Sequence, residues 1–179
     1  KKQAQKSRVA ELIDRRDPAV ARIVEAHEAH RATVEHARDV LSRLGVEARF
    51  VQRDEPVRTD SADLVITLGG DGTLLTASHS VGARVPVLAI NSAPNMSVGY
   101  FAGGDRDAFE DCVTRALAGT LPASKLARMA VELDGRPLSN RVLNDALFCH
   151  PCPAATSRYS IRLGEREEDQ RSSGLWVGP

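Results

Sequence analysis

Between residues 18 and 44 the apolar residues Val20, Ile23, Val24, Val34, Ala37, Leu41 and Leu44 recur at three- and four-residue steps with charges between them. That is the period of one long amphipathic helix or of two in tandem, with Pro18 after Asp17 as its start and Gly45 as its stop. The pattern then shortens. Residues 46–51 read as a short strand, and residues 52–63, polar and holding Pro56, as a connection. Leu64-Val65-Ile66-Thr67-Leu68 is a short apolar run, Gly69-Gly70-Asp71-Gly72-Thr73 interrupts it, and Leu74 and Leu75 resume at helical spacing; the order predicted is strand, tight loop, helix. Pro86-Val87-Leu88-Ala89-Ile90 is too short for a helix and reads as a buried parallel strand. Phe109, Val113 and Leu117, at four-residue steps, predict a helix over residues 105–118 that Gly119 ends.

After about Leu121 the pattern turns to strands. Met129-Ala130-Val131-Glu132-Leu133 runs into Asp134-Gly135, a hairpin turn signal, and Arg158-Tyr159-Ser160-Ile161-Arg162-Leu163 alternates polar and apolar like a half-exposed strand. Residues 164–170 read as a solvated loop between strands. Alternating strands and helices imply a doubly wound parallel sheet, with ligands at the carboxyl ends of its strands. The expected organisation is an α/β nucleotide-binding domain over residues 1–120 and the start of a β-rich, sandwich-like domain over residues 121–179. Fewer than 60 residues is a small allowance for that second domain, so the sequence reads as incomplete; it also begins without Met, as a processed or trimmed chain would.

Lysine plus arginine and aspartate plus glutamate are equal at 24 each in the 179 residues, so no global field draws the protein to nucleic acid or an anionic membrane, and recognition must be local. No apolar run approaches the roughly 20 residues that span a bilayer, and the basic start is followed by Glu11, Asp14 and Asp17 without the apolar core of a signal peptide. Three cysteines, an odd count without framework spacing, fit a reducing compartment, which makes the cytoplasm the expected location.

A strand–loop–helix junction aims backbone N–H groups and a helix dipole at one spot, which suits phosphate oxygens. A carboxylate there would repel them unless a metal ion or a hydroxyl donor lay between, so Asp71 points to phosphoryl chemistry more than to simple phosphate holding. The loop lacks the lysine and spacing of a Walker loop and the third glycine of a dinucleotide fingerprint. Asn91 stands at the carboxyl end of the second strand. Its loop, residues 91–101, carries Tyr100 and Phe101 in a chain only 4% aromatic; Tyr100 suits stacking on a flat ring, and Phe101 suits plugging the core beneath the loop. His27 and His30 share one side of the first helix without the carboxylate-plus-histidine signature of a metal site, so packing or surface roles are expected. Cys149-His150-Pro151-Cys152 has no second ligand pair for zinc, and Pro151 and Pro153 obstruct the helix that redox chemistry needs, so its thiols are expected to be buried. Asn144-Asp145 puts two polar side chains in an apolar strand-like run; a structural partner and a ligand are equally good reasons for them.

Taken together, the Gly69–Thr73 loop, Ile90-Asn91-Ser92 with Pro94 and Gly99, the Asn144-Asp145 pair, Ala26-His27 through Val34-Glu35-His36 and Ser172-Ser173-Gly174-Leu175 resemble the ATP-NAD kinase family, from about Ala26 to Val177. The Asn-Ser-x-Pro loop and the histidine-bearing helix look closest to the mitochondrial-type branch. The resemblance implies phosphorylation of the 2′-hydroxyl of the adenosine ribose of NAD by ATP with Mg²⁺. It implies Asp71 as catalytic residue acting on that hydroxyl or through Mg²⁺, Gly69, Gly70, Gly72 and Thr73 as phosphate-binding, and Asn91, Asn144 and Asp145 as NAD-binding; Tyr100, a stacking aromatic by its loop position, is counted with the NAD-binding residues. It also implies a homo-oligomer. Asp145 stands where the family has Glu, one methylene longer, and the glycine- and threonine-rich segment expected after Leu175 is absent. Gly-Gly-Asp-Gly-Thr also occurs in diacylglycerol- and sphingosine-type lipid kinases, so a lipid kinase is the competing enzyme, and a non-catalytic NAD(P)-binding module the competing non-enzyme.

Overall fold

A computed structural model describes residues 2–15, 17–52, 55, 59, 61–152 and 155–179. The chain divides into two compact units, Lys1–Ala123 and Ser124–Pro179.

The first unit is mixed α/β. Helix α1 (Lys2–Asp14) precedes α2 (Pro18–Arg43), a single continuous helix. Pro18 takes the position where a missing N–H costs nothing, and the Asp17 carboxylate accepts the Ala19 N–H at 2.8 Å. Gly45, at φ +66°, closes α2 as its N–H and that of Val46 bond back to the Ser42 and Leu41 carbonyls. Strands β1 (Val65–Leu68), β2 (Val87–Asn91) and β3 (Gly104–Asp105) form a parallel sheet in that order. Helix α3 (Asp71–Ser78) links β1 to β2, and α4 (Phe109–Leu117) follows β3.

Leu88 and Ile90, alternate residues of β2, face one core with Ala37, Val40 and Leu41 of α2 and Phe109, Cys112 and Val113 of α4. Ile90, Val40, Phe109 and Val113 are fully enclosed there, each stabilising the fold by about 1.5–3 kcal/mol relative to exposure. Helix α3 packs on β1 and β2 outside that cluster. Arg43 near the end of α2 forms a paired hydrogen bond to Glu110 of α4 at 2.8 and 3.1 Å.

Several expectations differ in detail. Ile23 and Leu44 are exposed; the buried stripe of α2 runs through Thr33, Ala37, Val40 and Leu41 instead. In α4 Cys112 takes the buried place expected of Leu117, because Phe109 and Val113 centre the apolar face one position away from it. Residues 46–51 are not a strand. Val46 is half-buried against the core, residues 47–51 are exposed, and Phe50 packs under the Arg38 guanidinium, 3.9 Å from the ring centre. Half of the expected connection over 52–63 lies outside the described residues.

The second unit consists of antiparallel pairs. Strands β4 (Met129–Leu133) and β5 (Arg136–Val142) form a hairpin whose turn residues, Asp134 at φ +52° and Gly135 at +73°, both take the left-handed conformation that a two-residue turn demands. Strand β6 (Ala146–Phe148) pairs with β9 (Leu175–Val177), and β7 (Ser157–Leu163) with β8 (Arg166–Ser172). The expected solvated loop over 164–170 is therefore mostly strand. Gly164-Glu165 makes the turn, and its charged residues act across the ladder: Arg162 pairs with Glu167 at 2.6 Å and the Ser160 hydroxyl donates to Asp169 at 2.6 Å.

Candidate active site in the first unit

At the end of β1, Gly69 turns the chain with φ +155°, and a Cβ there would run into the Thr73 hydroxyl. Gly70 is the N-cap of α3 and offers no side-chain cap, so the first-turn amides are not taken up by one. A Cβ on Gly70 would come within 2.9 Å of the Ser97 hydroxyl, so glycine here lets the second loop approach. Apolar β1 and α3 thus aim a glycine-lined helix N-terminus at the carboxyl end of the parallel sheet, where an anion is best accommodated.

The second loop leaves the adjacent strand, β2, and returns over this point. Asn91 is 5% exposed and its amide organises the loop: Nδ2 donates to the Ser97 carbonyl at 2.9 Å and Oδ1 accepts the Ala93 N–H at 3.1 Å. Gly99, at φ +64°, lies so close to that amide that a Cβ would collide with it. The loop ends on Asp71. Its Oδ2 accepts the Tyr100 N–H and its Oδ1 the Phe101 N–H, both at 2.9 Å. Each carboxylate oxygen keeps a second lone-pair direction for another donor or a cation.

Tyr100 is 82% exposed beside this point, with its ring edge-on to that of Phe101 at 5.1 Å. Phe101 is half-buried but is not part of the core cluster; as the edge partner of Tyr100, it supports the loop surface more than it plugs the core. Gly69, Gly70, Asp71, Gly72, Thr73, Asn91 and Tyr100 are thus gathered at one end of the sheet.

Asn144 and Asp145 belong to the second unit, at the bend between β5 and β6. Both are exposed, so burial within a strand is not what explains them: the bend takes them out of the apolar run that precedes and follows. In Ser172-Ser173-Gly174-Leu175, Gly174 sits at φ +157° with its would-be Cβ 2.9 Å from the Phe148 carbonyl, and the Tyr159 hydroxyl bonds Ser172 at 2.9 Å. That segment sets the β6–β9 register. Cys149 and Cys152 are also exposed, against the expectation of buried thiols, because the turn carries them past the end of β6; Pro153 lies outside the described residues. Cys112 is the buried cysteine, and burial pushes its thiol pKa up.

The sequence pattern does not single out Thr33 or Ser97, and it marks His30 only as a packing or surface residue and Ser92 only as part of the second-loop motif. The available signal was positional, since His30 and Thr33 continue the buried stripe of Ala37, Val40 and Leu41 backward by helical steps. Among the described residues no group of three or more His, Cys, Asp or Glu side chains is placed to hold a metal ion.

The first unit is thus a parallel α/β sheet carrying a glycine-lined helix N-terminus and one loop-held carboxylate, an arrangement suited to an anion. Residues 5–120 match the ATP-NAD kinase N-terminal domain, and the chain belongs to the ATP-NAD kinase family. It is 37% identical over 172 residues to the "Probable NADH kinase" of Oryza sativa subsp. japonica, covering 83% of this chain and 52% of that protein. It is 33% identical over 119 residues to the "NAD kinase" of Methanocorpusculum labreanum, covering 66% and 42%. With "NAD kinase 2, mitochondrial" of Mus musculus it shares 36% over 170 residues, covering 90% and 36%. The chain spans about half the length, or less, of these curated relatives.

Proposed function

We propose that the whole protein is an NAD kinase that transfers the γ-phosphoryl group of ATP to the 2′-hydroxyl of the adenosine ribose of NAD. The observation that carries this reading is the Asp71 carboxylate, fastened by two backbone N–H groups of the second loop at the mouth of the Gly69–Thr73 turn. In-line transfer needs little covalent chemistry from the protein, and positioning supplies most of the rate. ATP phosphates rest on the Gly69–Thr73 loop at the N-terminus of α3. As the 2′-oxygen bonds to the γ-phosphorus and the bond to the β-phosphate oxygen breaks, the hydroxyl proton passes to Asp71 and ADP leaves. Tyr100 and Asn91 bound the NAD side of the site. The family resemblance assigns Asn144 and Asp145 to NAD binding as well, with Asp145 one methylene shorter than the family's glutamate.

One carboxylate beside a phosphate loop fits Mg²⁺, which is held by one or two carboxylates together with substrate phosphates and water. When bound, it supplies neutralisation of the phosphate charge. The parallel sheet supports assignment of residues 1–120 to a doubly wound nucleotide-binding domain, and the paired strands of residues 121–179 to part of a β-sandwich. Three free cysteines favour a reducing compartment such as the cytoplasm, and family membership favours a homo-oligomer.

The names of the relatives divide between NAD kinase and NADH kinase, so the test offers both. Full-length protein incubated with labelled ATP, Mg²⁺ and NAD, NADH or a diacylglycerol should label a dinucleotide. Labelling of the lipid alone, or dinucleotide binding by calorimetry without turnover, would refute the kinase assignment in favour of a lipid kinase or a binding module.

A further inference from the structure

The second loop is anchored at three places, and one anchor belongs to no phosphate or ribose contact. Ser92, 6% exposed, is held from helix α2 by both of its polar groups. Its hydroxyl is 3.0 Å from His30 Nδ1, and its carbonyl accepts from the Thr33 hydroxyl at 3.3 Å. Thr33 is 1% exposed and its single hydroxyl proton is shared between the Ser92 carbonyl and the nearer Ala29 carbonyl, at 2.9 Å, so its rotamer is set by its own helix. Next in sequence, the Asn91 amide ties the loop to itself, and at the far end Tyr100 and Phe101 bond Asp71. A chain of hydrogen bonds therefore runs from α2, through Ser92 and the loop, to the carboxylate.

The histidine suits this place physically. Helix α2 is tied by its apolar stripe to the core that β2 also faces, so it is a rigid post. His30 and Thr33, one turn apart on that post, reach the residue after β2 where aliphatic side chains would leave the Ser92 hydroxyl without this partner. A ring nitrogen serves as donor or acceptor to a hydroxyl that can rotate to suit it.

We propose that His30 is a positioning residue of the phosphoryl-transfer site, acting through Ser92 to hold the second loop in the conformation that orients Asp71 and presents Tyr100. The proposal rests on the NAD kinase reading for its kinetic consequence and on the hydrogen bonds alone for its structural one. Losing the brace loosens the loop without altering the Gly69–Thr73 turn. The effect therefore falls on kcat and on KM for NAD, while KM for ATP holds.

The test is a double-mutant cycle in the full-length protein with His30→Ala, Ser92→Ala and the pair, together with His30→Asn, whose amide places a polar atom near that of Nδ1. Each alanine variant should lower kcat/KM for NAD about five- to tenfold, the size of one lost buried hydrogen bond. KM for ATP should stay within twofold, the pair should cost no more than either alone, and His30→Asn should recover most of the loss. Multiplying effects, equal rises in both KM values, or no recovery by Asn would overturn the proposal. Hydrogen exchange of residues 92–101 in the absence of substrates decides it independently of turnover and of any variant that folds poorly, since His30→Asn can be compared with wild type. If wild type phosphorylates neither NAD nor NADH, the kinase reading fails. Faster loop exchange in His30→Ala and slow exchange in His30→Asn would still support the brace; identical exchange in all three proteins would remove it.

Discussion

Asp71→Asn is the obvious substitution for testing a proton acceptor, and the structure shows why its result needs a second measurement. In the native site both oxygens of Asp71 accept backbone N–H groups, from Tyr100 and Phe101 at 2.9 Å each. Asparagine keeps one acceptor and turns an NH₂ toward the other donor, so one bond is lost and the remaining one loses its charge. Hydrogen bonds to charged groups contribute about 1.5–3 kcal/mol. Asp71 is half-buried and Tyr100 is exposed, which places the cost near the low end, about 2 kcal/mol, or roughly thirtyfold in the ratio of open to closed loop. The expected outcome is that the Tyr100 and Phe101 amides of Asp71→Asn exchange with deuterium about thirtyfold faster than in wild type, without ATP or NAD present. Amides in β1 and β2 should be nearly unchanged. NADP formation should fall further than that loop effect alone, because the proton acceptor is lost as well. Unchanged exchange at Tyr100 and Phe101 would refute the fastening role, and an activity loss no greater than the loop effect would refute Asp71 as proton acceptor.

Gly69→Ala should destabilise the first unit by about 2 kcal/mol or more in urea unfolding, since the new Cβ meets the Thr73 side chain at a φ that L-residues avoid. Thiol titration of the native protein should find Cys149 and Cys152 reacting fast, with Cys112 reacting only on unfolding, because two thiols are exposed and burial raises the pKa of the third. The hydrogen bond from Arg43 holds the Glu110 carboxyl below its usual range. A depressed folded-state pKa means that the pair stabilises above the unfolded value of about 4.3 and is lost as pH falls through the folded value. Glu110→Gln should therefore flatten the acid limb of the stability profile below about pH 4.3, and leave the slope above pH 6 unchanged.

Much of the candidate site was legible along the chain because its chemistry is local. Gly69 to Thr73 are consecutive, and their meaning comes from the apolar strand before them and the apolar helix after. The same holds for Asp17-Pro18, where cap and first helical position are neighbours. Asn91 was legible as the residue at a strand end, but the use of its amide was not. Its partners, Ser97 and Ala93, depend on how the loop folds back. Residues 164–170 misled for the opposite reason: in isolation a run of charges looks solvated, while opposite Arg162 and Ser160 the same charges stabilise a strand.

Sequence alone determined the parallel α/β character of the first unit, the strand-rich second unit, the Gly-Gly-Asp-Gly-Thr turn and its carboxylate, since each rests on spacing within a few residues and on the period of burial. The tertiary structure decided what that carboxylate touches. His30 and Ser92 are 62 positions apart, and Asp71 and Tyr100 are 29 apart. Side-chain hydrogen bonds over such separations leave no period in the chain, because they are fixed only when α2, β2 and α3 have packed and a loop of defined length must close between them.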